Sequence, residues 1–188
     1  MTNNIHFNTP RLKAQLLDES NKHHVFDLYN NPQNIEFLHG IDAAQDIELS
    51  IKCSAAYSNI GAYLIFENHS NEFVGVGGIQ KQEPMWDGSF AMADYDIEFL
   101  IILSHEFKGQ GYASEFCRGF FEMFFSNFPQ IEVPARVAYD NSSCIKLLKK
   151  FGFLESGETH YNVYENKFAL LRNSFSSWQQ TIKNPLKS

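Results

Sequence analysis

Three cysteines, Cys53, Cys117 and Cys144, stand far apart in 188 residues, so the chain has neither a disulfide framework nor a C-x-x-C pair for zinc. An odd number of isolated thiols suits a reducing compartment. Basic residues are also few: 15 Lys+Arg face 22 Asp+Glu, a formal charge of -7, and no basic face is available to neutralise a phosphate backbone. Nucleic acid is excluded as a partner class on that ground. No apolar run approaches the roughly 18 residues of a membrane span, and the opening MTNNIHFNTP is polar where a secretory leader would be apolar. We therefore expect a cytoplasmic protein with no membrane partner. Seven histidines show no ligand spacing, and no metal is expected. Repeats, low-complexity tracts and linkers are absent too, which implies a single domain over residues 1–188 with 1–8 and 184–188 as flexible tails.

Phenylalanine is abundant, with 18 residues, and many share one stripe. Counting from Ala113, Phe116, Cys117, Phe120, Phe121, Phe124, Phe125 and Phe128 follow helical spacing until Pro129 stops the helix. Upstream, residues 11–17 alternate like a first strand, and Asp18 reads as the cap of a helix carrying Val25, Phe26, Leu28 and Tyr29, ended by Asn31-Pro32. A second helix over 44–58 buries Ile47, Ile51 and Ala55. Residues 61–68 and 73–81 form a hairpin across HSNE. A loop over 83–93, where Trp86 is either a pocket wall or an anchor, leads to the strand DYDIEFLIIL at 94–103. After the long helix come a strand at 131–139, a helix at 141–151, a last strand at 161–171 and a short helix around Trp178. Strands meander first and alternate with helices later, so the fold class is mixed α/β.

Two glycines, Gly109 and Gly111, sit in SHEFKGQGYASEF (104–116), where a buried strand gives way to the Phe-rich helix. A helix N-terminus has unpaired backbone N–H groups and about half a positive charge, and glycines remove side chains that would keep an anion away. These residues fit either a phosphate cradle or an ordinary tight turn. A P-loop would need Lys and then Ser or Thr after the second glycine, but Tyr112 and Ala113 follow Gly111. A dinucleotide fingerprint would need a third glycine where Ser114 stands.

EFKGQGYASE (106–115) resembles the Q/R-x-x-G-x-G/A pyrophosphate loop of the GNAT superfamily of N-acetyltransferases, in the form seen in its RimJ/RimL-like branch. NSSCIKLLKKFGF (141–153) is similar to that branch's N-x-x-S-x-x-x-L-x-x-x-G-F helix, and TPRLKAQLL, EFVGVGGI and DIEFLI match its other strands in order. The resemblance implies a mixed, mostly antiparallel central sheet flanked by helices, whose fourth and fifth strands splay apart to receive acetyl-CoA. It departs from the pattern at Glu106, where Gln or Arg is usual and Lys108 can compensate, and at Cys144, where Ser is usual.

By that resemblance the main chain of Lys108, Gly109, Gln110, Gly111, Tyr112, Ala113 and Ser114 holds the pyrophosphate, Ile101, Ile102 and Leu103 align the pantetheine arm, and Asn141 contacts it while capping its helix. Asp94, Asp96 and Glu98 share one strand face. An amine must lose a proton before attacking a thioester, and the resemblance implies a Glu beside the acetyl group at this place, so Glu98 is the candidate base and the acidic face suits a cationic acceptor. Cys144 reads either as core or as the acid that protonates the leaving thiolate, a task Tyr161 or Tyr164 could also serve. His105 and His160 are candidates by proximity alone. Lys146, Lys149 and Lys150 form a solvated face or a contact for the 3′-phosphate. The expected activity is acetyl transfer from acetyl-CoA, as co-substrate, to a primary amine of a protein N-terminus or small molecule. Direct attack in a ternary complex, by a monomer or homodimer, is the expected route. A non-catalytic acyl-CoA sensor and a nucleotide-binding α/β module are the alternative classes.

Overall fold

The computed structural model describes residues 7–38, 47–48, 50–53, 60–81, 97–161 and 166–183. Five strands form one antiparallel meander in chain order: β1 (Phe7–Asn8), β2 (Leu12–Leu16), β3 (Ala62–Glu67), β4 (Phe73–Lys81) and β5 (Ile97–Leu103). Helix α1 (His23–Tyr29) lies between β2 and β3, and the described residues of the 47–53 stretch are also helical. Period-two alternation gives β3 two buried faces. Tyr63 and Ile65 join a cluster with the long helix, whereas Leu64 and Phe66 join a second cluster with Val25 and Leu28 of α1.

The long helix α2 (Tyr112–Asn127) follows β5 through a 3-10 turn at His105–Phe107. Phe116, Cys117, Phe120, Phe121, Phe124 and Phe125 are all fully buried, the stripe expected from their spacing. At roughly 1.5–3 kcal/mol per buried large apolar side chain, this stripe is the main anchor of helix on sheet. Phe99 of β5 packs its ring 4.9 Å from that of Phe121.

Beyond α2 the chain forms β6 (Val133–Ala138), α3 (Ser142–Lys150), β7 (Leu154–Tyr161), β8 (Asn166–Asn173) and α4 (Phe175–Lys183), with Trp178 of α4 buried. These strands make a second antiparallel sheet in the order β6-β8-β7. The break in hydrogen bonding therefore falls between the strands at 97–103 and 133–138, as expected; the short β1 shifts their count to fifth and sixth. Helix α3 ends in a Schellman motif, with Gly152 at φ +89° and its N–H on the Lys149 carbonyl at 3.1 Å. The Phe153 N–H reaches the Leu148 carbonyl at 3.2 Å.

Three local expectations are corrected. Asp18 does not cap α1: its carboxylate accepts from the Ser20 N–H and hydroxyl, and the helix begins at His23 without a side-chain cap. The single strand expected at 161–171 is the end of β7 and most of β8, paired from Tyr161 opposite Asn166. LESGETHY has no apolar alternation, so only its ladder with β8 makes it a strand. Phe7, expected in a tail, stacks edge-on with Tyr63 at 5.4 Å.

Candidate active site

The glycine junction connects the 3-10 turn at His105–Phe107 to α2. Gly109 and Gly111 are left-handed, at φ +76° and +82°, and Gly111 is the N-cap of α2. Among the described residues no acceptor meets the N–H of Gly109 or of residues 111–114, and the first helical bond is from the Glu115 N–H to the Gly111 carbonyl at 3.0 Å. A Cβ at Gly109 would meet nothing within 4 Å. The junction therefore presents successive free donors to open space at the positive end of a 16-residue helix.

Three contacts fasten this loop to the rest of the fold. The buried Asn34 accepts from the His105 N–H at 2.7 Å and donates to the Leu28 carbonyl at 2.9 Å, tying the loop to the end of α1. Lys108 donates to the Gln33 carbonyl at 2.7 Å, so its ammonium is directed to that connection. Arg11 donates to the Gln110 carbonyl at 3.0 Å. Glu106 is exposed and accepts from the Ser104 hydroxyl at 3.1 Å. Glu115, in the first turn of α2, accepts from the Thr9 hydroxyl at 2.6 Å, the Arg11 N–H at 2.7 Å and the Arg11 Nε at 2.6 Å. Partial burial pushes its carboxyl up, but those donors and the guanidinium charge outweigh burial and hold it below the usual carboxylate range.

Ile101, Ile102 and Leu103 lie on β5, which has a ladder partner in β4 on one side and the second sheet on the other. The strand edge toward β6 is thus outside the ladder, where main-chain groups can meet an amide-bearing arm. Glu98 lies on the same strand and is 6% exposed. Arg136 of β6 grips it with two bonds, Nε to Oε2 at 2.8 Å and Nη2 to Oε1 at 2.7 Å, and Gln80 Nε2 adds a third at 3.0 Å. The ion pair spans the two sheets where no ladder does. A buried carboxylate without a partner would cost several kcal/mol, and the bidentate geometry offsets that cost. It also engages both carboxylate oxygens, Oε2 once and Oε1 together with Gln80.

Asn141 caps α3, its side chain accepting from the Cys144 N–H at 3.1 Å. Burial pushes the Cys144 thiol up to about 11, so it is protonated at neutral pH. Lys146, Lys149 and Lys150 are exposed, and Lys149 pairs with Glu155 at 2.8 Å. His105 is exposed. Trp86, Asp94, Asp96 and Tyr164 lie outside the described residues, as do the side chains of His160 and Tyr161. Among the described residues no three His, Cys, Asp or Glu side chains converge as metal ligands, and no helix is long and apolar enough to cross a membrane.

Reading the sequence for chemistry passed over Arg136 and Arg11. Arg136 had a signal: a lone charge in the apolar strand VPARVA needs a buried partner. Arg11, beside a proline at a strand start, had none.

A glycine turn into a long helix at the end of one antiparallel sheet, with a second antiparallel sheet beside it, is the architecture on which the comparisons with known proteins bear. The family model of the acetyltransferase (GNAT) domain matches residues 11–154, and the chain belongs to the GNAT acetyltransferase family. Similar solved structures agree on the fold. A GNAT-family acetyltransferase from Bordetella pertussis is 19% identical with a TM-score of 0.75, over 90% of this chain and 99% of that one. A ribosomal-protein-S5-alanine acetyltransferase from Vibrio fischeri is 11% identical with a TM-score of 0.69, over 93% and 98%. A spermidine N-acetyltransferase from Vibrio cholerae, solved with CoA and spermine, is 15% identical with a TM-score of 0.63, over 89% and 98%. A search of curated protein sequences returns no match.

Proposed function

We propose that this chain is a cytoplasmic, acetyl-CoA-dependent N-acetyltransferase of the RimJ/RimL-like branch, passing an acetyl group directly to a primary amine in a ternary complex. The observation that carries the reading is the run of N–H groups at the left-handed glycine junction that meet no acceptor among the described residues, in a chain that belongs to the GNAT family. In this reading the main chain of residues 108–114 grips the diphosphate, the free edge of β5 at Ile101, Ile102 and Leu103 aligns the pantetheine amides, and Asn141 adds a side-chain contact. Acetyl-CoA supplies the activated thioester. Glu98 takes the amine's proton through water as Arg136 loosens its hold, and Cys144 is either the group that protonates the departing sulfur or a core residue beside it, with Tyr161 and Tyr164 as the alternative acids. The protein acts as a monomer or homodimer and needs no metal.

The acceptor is a protein N-terminal amine or a small amine. The Vibrio fischeri and Vibrio cholerae neighbours, whose names specify an alanine of ribosomal protein S5 and spermidine, illustrate those two kinds. Thiol release from acetyl-CoA, followed across a panel of peptide N-termini and small amines, tests the reading. Turnover with at least one amine is expected; CoA binding without turnover on any would favour a binding or sensor role, which the tight Glu98–Arg136 pair suits. With a working acceptor, Glu98→Gln is expected to lower kcat by roughly 10² or more. Because that change also leaves Arg136 without its counter-charge, the double variant Glu98→Gln/Arg136→Gln is the control. Recovered thermal stability with turnover still low assigns proton transfer to Glu98, and restored turnover removes that assignment.

A further inference from the structure

Arg11 stands 99 residues from Gln110 in sequence, yet its side chain meets the junction at three points, Gln110, Tyr112 and Glu115. Its Nη1 donates to the Gln110 carbonyl, its Nε and backbone N–H bind the two Glu115 oxygens, its guanidinium lies 4.4 Å over the Tyr112 ring, and its Nη2 is 3.4 Å from where a Gly111 Cβ would be. The segment that carries it is itself fixed: the Asn68 N–H bonds the Arg11 carbonyl at 2.8 Å, and the Asn68 amide bonds the Thr9 and Pro10 carbonyls.

Two physical consequences follow. A planar peptide directs its carbonyl and the next N–H in opposite senses, so pinning the Gln110 carbonyl on Arg11 aims the Gly111 N–H away from Arg11. The cradle's donors are therefore pre-set, and anion binding need not first order the loop. Second, Glu115 places a carboxylate in the first turn of α2, near any anion held there. The ion pair at 2.6 Å cancels most of that charge as felt from outside.

Resting on the CoA-binding reading above, we infer that Arg11 is a positioning residue for the diphosphate site: it orients the Gln110–Gly111 peptide and neutralises Glu115, so that the cradle accepts an anion. It acts through the loop and takes no part in proton transfer.

Calorimetric titration of CoA into the wild type and three variants tests this. Arg11→Met is expected to weaken CoA about tenfold, and Arg11→Lys, which keeps the charge but lacks the planar fork that lies over Tyr112 and reaches Gln110 and Glu115 from separate nitrogens, about threefold. Adding Glu115→Gln to Arg11→Met should recover part of the loss, because it removes the exposed carboxylate. A merely structural Arg11 would predict the reverse, since the double variant dismantles more of the network. Kinetically, KM for acetyl-CoA should rise with Kd while kcat at saturation holds. The inference is overturned if Arg11→Met binds CoA within about twofold of wild type, or if the double variant binds more weakly than the single one. Should Arg11→Met fail to fold, unchanged affinity in Arg11→Lys overturns it equally. Failure of the wild type to bind CoA would instead remove the reading beneath it.

Discussion

Cys144 shows how one residue's surroundings select among its possible roles. Its thiol is pushed up to about 11 by burial, and no opposing charge contributes to that shift. Nucleophilic attack requires thiolate, and a thiol held near 11 is also a weaker acid than an ordinary thiol, so at neutral pH the environment opposes an acyl-enzyme and fits a core residue better than a proton donor. Iodoacetamide at about pH 8 should label Cys144 at least tenfold more slowly than a free cysteine, because the thiolate fraction is depressed and access is limited. Mass spectrometry of the labelled peptide reports this directly. Fast labelling there would mean a thiolate is available and would reopen the covalent route.

At the scale of an element, the cradle depends on a backbone shape that side chains oppose. Gly111 is left-handed at +82°, and an L residue there costs roughly 1–2 kcal/mol. Gly109, at +76°, carries the same strain but faces open space, whereas a methyl at Gly111 would stand 3.4 Å from Arg11 Nη2. Gly111→Ala and Gly109→Ala should therefore lower the melting temperature similarly, because 3.4 Å is an ordinary van der Waals contact and the cost at both positions is backbone strain. CoA affinity, measured by titration, should fall in both variants, because a turn that relaxes out of the left-handed region re-aims the N–H groups after it. Affinity unchanged from wild type in both would mean that the backbone shape of the junction does not set CoA binding.

At the scale of the whole molecule, a buried set of neutral acids governs the response to alkaline pH. Burial raises Cys53 from 9.0 to about 12 and Cys144 to about 11, and it pushes Cys117 and Tyr63 up as well. Below pH 9 folded and unfolded chains both hold these protons, so nothing is lost. Above it the unfolded chain releases thiol protons that the folded chain keeps, and stability falls at roughly 1.4 kcal/mol per pH unit for each thiol. The urea midpoint should be level from about pH 7 to 8.5 and then drop steeply toward pH 11, with a shallower drop in Cys53→Ala. A midpoint that holds through about pH 10.5 would show that these groups ionise in the folded state.

What the sequence alone determined was whatever a short window encodes. The Phe stripe set α2 because a 3.6-residue period does not depend on the partner, and two glycines before a helix implied a tight turn or an anion cradle because glycine leaves the backbone uncovered. Asn141 and Gly152 bracketed α3 for the same kind of reason. Tertiary structure decided which distant groups meet. β7 is a strand only because β8 lies beside it, Glu98 finds Arg136 38 positions away, and Glu115 finds Arg11 104 positions away. A charge in a sequence announces that it needs a partner, but the choice follows from which strands and turns the packed sheets place side by side.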